Sequence, residues 1–78
     1  MMRLYNIEGC GYCGMVREAL ARLGLDYEKI DVPWAHSQRT EVMKISGQTS
    51  VPVLVDGEVI LSDEHEIIDY LKTKYAKI

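Results

Sequence analysis

The two cysteines of this chain, Cys10 and Cys13, stand three apart where one hydrophobic periodicity gives way to another. Before them runs a short apolar stretch, Leu4-Tyr5-Asn6-Ile7, which reads as a strand over Arg3–Ile7. Gly9 and Gly11 break it. After them Val16, Ala19, Leu20 and Leu23 share one helical face, with Arg17, Glu18 and Arg22 on the other, so a helix is expected over Tyr12–Leu23. A Cys-x-x-Cys at the junction of a first strand and a first helix is a redox or metal signature.

The rest of the chain continues in short elements. Gly24 is a left-handed cap for the first helix. Tyr27–Val32 alternates as a strand does, and Pro33 stops it. Ser37 is expected to cap a second helix reaching about Ile45, with Val42 and Ile45 inward and Ser46-Gly47 closing it. Val51–Val55 is a β-branched run, Asp56-Gly57 a two-residue hairpin signal, and Glu58–Leu61 the returning strand. Asp63 and Glu66 have the spacing of a capping box, and Ile67, Ile68, Leu71 and Tyr75 mark the inner stripe of a last helix. The order β-α-β-α-β-β-α pairs the first two strands in parallel through a crossover and the last two as a hairpin. The expected architecture is α/β: a thioredoxin-like fold with a four-stranded mixed sheet and three helices, as one domain over residues 1–78.

Composition narrows the function. A net charge of −3 and a pI near 5.2 speak against binding a phosphate backbone. Glu8 and the glycines interrupt any apolar leader, and no stretch has the length of a membrane span. The expected location is the cytoplasm, with neither a nucleic-acid nor a membrane partner. In a reducing compartment a close cysteine pair is catalytic or metal-binding rather than a permanent bridge. Zinc would need two more ligands, and the histidines, His36 and His65, lie far apart.

Position gives the thiols different roles. Cys10 lies at the N-terminal edge of the first helix, where unpaired amides and the helix dipole favour a thiolate. Cys13 lies one turn inside and is expected to be more buried and to keep its proton. Cys10 then attacks a disulfide and Cys13 resolves the mixed disulfide.

Over nearly its whole length the chain resembles the glutaredoxins. The anchors are Cys10-Gly11-Tyr12-Cys13, the segment Gly47-Gln48-Thr49-Ser50-Val51-Pro52, and Ser62-Asp63 opening the last helix. It is also similar to the N-terminal domain of glutathione transferases, through Leu61-Ser62-Asp63 and Ile67-Ile68-Asp69-Tyr70-Leu71. The resemblance implies a monomeric, glutathione-dependent thiol–disulfide oxidoreductase acting on protein disulfides or glutathione mixed disulfides. It implies Cys10 as nucleophile and Cys13 as resolving thiol. Tyr12 would line the glutathione groove, and Pro52 would be a cis-proline that turns the Val51 backbone toward an extended peptide. Ser62, Asp63 and Glu64 would hold the γ-glutamyl end, and Arg39 would contact the glycyl carboxylate.

Alternatives stay open at this point. Many glutaredoxins carry a basic residue three positions before the first cysteine; here it is Ile7, followed by Glu8, whose charge is expected to raise the Cys10 pKa. A related low-molecular-weight thiol or a thioredoxin reductase could replace glutathione as reductant. Gly11, in place of the commoner proline, resembles members that assemble a [2Fe–2S] cluster between two protomers, with Cys10 as ligand. A non-enzymatic glutathione-binding module is the remaining reading. Trp34 is expected to be a half-buried packing residue, with partner contact as its alternative.

Overall fold

The computed structural model describes residues 2–75. Its first strand, β1 (Met2–Asn6), is buried on both faces: Leu4 points to one side of the sheet and Tyr5 to the other. Such a strand belongs in the middle of a sheet. β1 pairs in parallel with β2 (Tyr27–Asp31) and antiparallel with β3 (Val53–Asp56), which pairs antiparallel with β4 (Val59–Leu61). The strand order is β2-β1-β3-β4, the mixed four-stranded sheet expected from the sequence.

The helices are α1 (Gly11–Arg22), α2 (Thr40–Ser46) and α3 (Glu64–Tyr75). Val16 and Leu20 from α1, and Ile67 and Leu71 from α3, pack with Met2, Leu4 and Leu54 on one face of the sheet. Val42 from α2 packs with Tyr5, Val53 and Val55 on the other. Tyr5 also donates from its hydroxyl to Glu41 at 2.8 Å, fastening α2 to the central strand. α1 ends as its glycine demands. Gly24 sits at φ +67, its amide bonds the Ala21 carbonyl, and the Leu25 amide reaches back to the Leu20 carbonyl. That pair of bonds is a Schellman motif, which satisfies carbonyls the helix leaves open.

Beyond one-residue shifts at the ends of β1, α1 and β2, three boundaries differ from the sequence-based expectation. Ser37 does not cap the second helix: it lies in a 3-10 turn over His36–Gln38, and α2 begins at Thr40. The reason is Arg39, whose backbone at φ −89, ψ 57 interrupts the helical run while its side chain fastens the surrounding loops. The third strand starts at Val53 rather than Val51, because Pro52 has no amide to give the ladder. The hairpin loop is Gly57-Glu58, with Gly57 at φ +62, and Asp56 still pairs with Val59. Asp56 is drawn into the strand by its carboxylate, which accepts from the hydroxyls of Tyr70 and Tyr75 and from Lys74.

Candidate active site

Topology gathers the singled-out residues at one end of the sheet. β1 ends at Asn6, and the Cys10 loop follows. β3 runs antiparallel to β1, so its approach through Val51-Pro52 lies at the same end, with Val53 opposite Tyr5. β4 runs antiparallel to β3, with Leu61 opposite Leu54, so Ser62 and Asp63 emerge there too. β2 ends at Asp31 opposite Asn6 and releases the Trp34 loop beside them. Across the sheet the order is therefore Trp34 loop, Cys10, Val51-Pro52, Ser62-Asp63.

Cys10 is the N-cap of α1, at φ −82, ψ 120, and its carbonyl accepts the Gly14 amide at 3.0 Å. Its thiol is half-exposed. Burial pushes that thiol up, but hydrogen bonds from the Cys13 amide, the Cys13 thiol and the Tyr12 amide, with the charge of Arg17, bring it below the ordinary thiol range. These are the open donors of a helix N-terminus, used here on sulfur. Cys13 is fully buried, and burial first, then the neighbouring Cys10, pushes it up to about 11. The Ile7 amide and Arg17 offset part of that rise. The two thiols are free and differ in the sense their positions dictate.

Glu8 does not act as expected. Its carboxylate accepts Lys29 Nζ at 2.9 Å and Asn6 Nδ2 at 2.9 Å, and Arg17 Nη1 stands 3.8 Å away. The bond from Lys29, then those from Asn6 and the Arg17 charge, hold Glu8 below the usual carboxylate range. A carboxylate so compensated exerts little on Cys10, whose pKa falls rather than rises. Asn6 is the buried hub of this cluster. Its Oδ1 accepts from Arg17 Nη1, and its Nδ2 also donates to Asp31 at 2.9 Å. Sequence reasoning missed Asn6 and Arg17. Two signals were available: a lone amide inside an apolar strand, and a basic residue four positions after Cys13 whose helical side chain must lean back toward the N-terminus.

Arg39 is buried and serves the backbone. It donates from Nε to the Pro33 carbonyl at 2.7 Å, from Nη1 to the Thr49 carbonyl at 2.8 Å and from Nη2 to the Trp34 carbonyl at 2.8 Å. It thus ties the loop after β2 to the segment entering Val51-Pro52. By holding the Trp34 carbonyl inward it leaves the indole outside: Trp34 is 69% exposed, not half-buried, and its ring edge lies against Gly9.

Among the carried-over residues, Tyr12 is exposed, Val51 half-buried and Pro52 buried, and the Val51–Pro52 peptide is cis. Asp63 makes the forward half of the expected capping box: one carboxylate oxygen accepts the His65 amide at 3.0 Å and the Glu66 amide at 3.1 Å. The other oxygen is free of that duty. Ser62 and Glu64 flank it, both half-buried. A groove of about 290 Å³ lies elsewhere, between α1 and α3, and neither cysteine lines it.

Among the described residues no group of three or more His, Cys, Asp or Glu side chains gathers. Among the described residues no helix is long and apolar enough to cross a membrane.

Comparison with known proteins fits this geometry. The chain is 40% identical to glutathione S-transferase Z1 of Arabidopsis thaliana over 78 residues, covering 97% of this chain but 35% of that protein. It spans about a third of the length of the plant transferases it matches. A glutaredoxin-like 8.6 kDa protein in the rubredoxin operon of Clostridium pasteurianum is 29% identical over 75 residues, covering 95% of this chain and all of that one. A glutathione transferase homolog of Drosophila mojavensis, solved with bound glutathione, superposes with a TM-score of 0.90 at 33% identity, covering 97% of this chain and 36% of that one. The family model described as Glutathione S-transferase, N-terminal domain matches residues 4–77, a span that takes in both thiols, Val51-Pro52 and the Asp63 cap. The chain, with its thioredoxin-like fold, therefore belongs to the glutathione S-transferase N-terminal domain family.

Proposed function

We propose that this chain is a dithiol oxidoreductase that reduces protein disulfides or glutathione mixed disulfides at the expense of glutathione. The observation that carries the reading is the opposed character of the two thiols. Cys10 is accessible and held below the ordinary thiol range, and Cys13 is buried and held up at about 11. Two thiols kept for structure alone have no need of that asymmetry.

The steps balance as follows. The Cys10 thiolate attacks one sulfur of a disulfide; that S–S bond breaks, and the departing thiolate takes a proton from solvent. Cys13 gives up its proton and attacks the Cys10 sulfur, expelling the second thiol and leaving a Cys10–Cys13 disulfide. Two glutathione molecules restore the dithiol and leave as glutathione disulfide. The same Cys10 attack opens a glutathione mixed disulfide.

Glutathione fits the row of groups at this end of the sheet. Two strand spacings, about 10 Å, separate β1 from β4, and three extended residues span about the same distance. Its cysteine would meet Cys10, with its backbone on Val51 in the manner of an added strand. Tyr12 and Pro52 would flank it. Its γ-glutamyl carboxylate would meet Ser62 and the amides opening α3, and its ammonium Asp63 and Glu64. Arg39 would serve the glycyl end chiefly by holding the loop. The glutathione bound in the Drosophila mojavensis structure supports this choice of thiol.

The test is hydroxyethyl-disulfide reduction with glutathione. Cys10→Ser abolishes it, while Cys13→Ser keeps the monothiol reaction. Activity retained in Cys10→Ser overturns the reading. A second reading, a glutathione-binding module without thiol turnover, is favoured by the family match over 4–77. It is recognised by glutathione binding in a wild-type protein that turns over no disulfide.

A further inference from the structure

A guanidinium stands where α1 would ordinarily place a carboxylate. No acidic residue occupies the first turn of α1. Arg17 instead runs back along the helix: its Nη2 would lie 3.4 Å from a Cβ placed on Gly14, whose amide bonds the Cys10 carbonyl. A cation near a helix N-terminus opposes the dipole and needs a reason to stay. Buried Asn6 supplies the anchor through its Oδ1, and Glu8 stands 3.8 Å away without closing on it. Glu8 is held off because Lys29 claims the same carboxylate oxygen at 2.9 Å.

We propose that Arg17 is a positioning residue that keeps a positive charge over the first turn of α1 for the Cys10 thiolate, and that the Glu8–Lys29 pair sets how much of that charge reaches the sulfur. Two cations, Arg17 and Lys29, face two carboxylates, Glu8 and Asp31, around Asn6. The cluster is neutral until Cys10 ionises. Arg17 acts on both thiols. The loop after β1 contributes Glu8, β2 contributes Lys29 and Asp31, and α1 contributes Cys13 and Arg17. α3 meets α1 beside Met15, Ala19 and Leu23, where Lys72 is its charged group. The inference rests on reading Cys10 as the attacking thiol.

The cluster is tested by thiolate absorbance against pH in the reduced full chain, without glutathione or any disulfide. Cys10 titrates first, well separated from Cys13. Arg17→Gln moves that first step up, by about half a unit for a partly exposed charge pair. Arg17→Lys, which keeps the charge, restores at least half of the shift. Lys29→Gln, which touches neither thiol, also moves the step up, because it frees Glu8 to neutralise Arg17. Glu8→Gln moves it down. In the double variant Glu8→Gln/Lys29→Gln the effect of Lys29 disappears, and the step returns to the Glu8→Gln position. An unchanged step in Arg17→Gln, or a Lys29 effect that persists without Glu8, overturns the inference. Disulfide turnover is measured separately, so failure of the cluster leaves the oxidoreductase reading standing, and failure of turnover leaves the cluster standing.

Discussion

Cys13, one turn into α1, favours the thiolate of Cys10 at the helix N-cap, and Cys10 in turn helps to hold the proton on Cys13. Once Cys10 is tied up in a mixed disulfide, its negative charge is gone, and with it part of what holds the Cys13 proton in place.

Alkylation should therefore be selective. At pH 7 iodoacetamide modifies Cys10 and spares Cys13 until the protein unfolds or the pH nears about 11. Peptide mass spectrometry after timed alkylation reads this directly; equal labelling of both cysteines in the folded protein refutes it. Stability follows the same shifts. A thiol whose folded value is raised contributes stability below its unfolded value and loses it as pH climbs. The reduced protein thus loses stability from about pH 9.0 toward about 11 through Cys13. Cys10, shifted the other way, adds stability as pH rises, and does so below 9.0. Urea midpoints across this range should fall in wild type and much less in Cys13→Ala.

Asp63 performs two separable tasks in the proposed site. Asp63→Asn keeps a good cap, so stability changes little, but the charge that would meet the glutathione ammonium is lost and KM for glutathione rises several-fold. Asp63→Ala loses the cap as well, at about 0.5–2 kcal/mol. Thermal melts beside glutathione kinetics separate the two tasks. An Asn variant with unchanged KM leaves Asp63 as a cap alone.

Asp56 closes the far end of the molecule. Tyr70 first, then Tyr75, and after burial's opposing effect Lys74, hold its carboxyl below the usual range. Its contribution is therefore present above the unfolded value near 3.8 and lost as pH falls from there through the lower folded one. Asp56→Ala should cost about 1–3 kcal/mol at neutral pH, as expected for hydrogen bonds to a charged group. The difference from wild type should shrink in acid. Chemical denaturation at pH 7 and at pH 3 checks both statements.

Arg39→Met removes the donor shared by three backbone carbonyls. Each buried acceptor left open costs about 1–3 kcal/mol where water cannot replace the donor. The loops at 33–34 and 49 should loosen while α1 stays intact. Hydrogen exchange should quicken around Thr49 and not in the first turn of α1, and glutathione KM should suffer more than kcat.

Element order and the unequal character of the two thiols were legible because they rest on local rules. Periods of 3.6 and 2, a glycine after Leu23, a turn glycine at 57 and an i, i+3 cysteine spacing all act within a few residues. What escaped crosses the chain. Arg17 meets Asn6 across 11 positions, and Asn6 meets Asp31 across 25. Glu8 read as a naked charge beside Cys10 because its partner Lys29 is brought near only by the parallel pairing of β1 and β2. Ser37 looked like a cap because a serine before an apolar pattern usually is one. Arg39 overrode that preference with bonds to backbone up to ten residues away.

The placement of Trp34 has a practical side. It is the sole tryptophan of the chain, stands largely in water and rests its ring edge against Gly9, next to Cys10. Indole emission is sensitive to nearby sulfur chemistry and to the polarity around the ring. If Cys10 exchanges thiols as proposed, the chain carries an optical gauge beside it, and exchange should register as a change in tryptophan emission with no added dye.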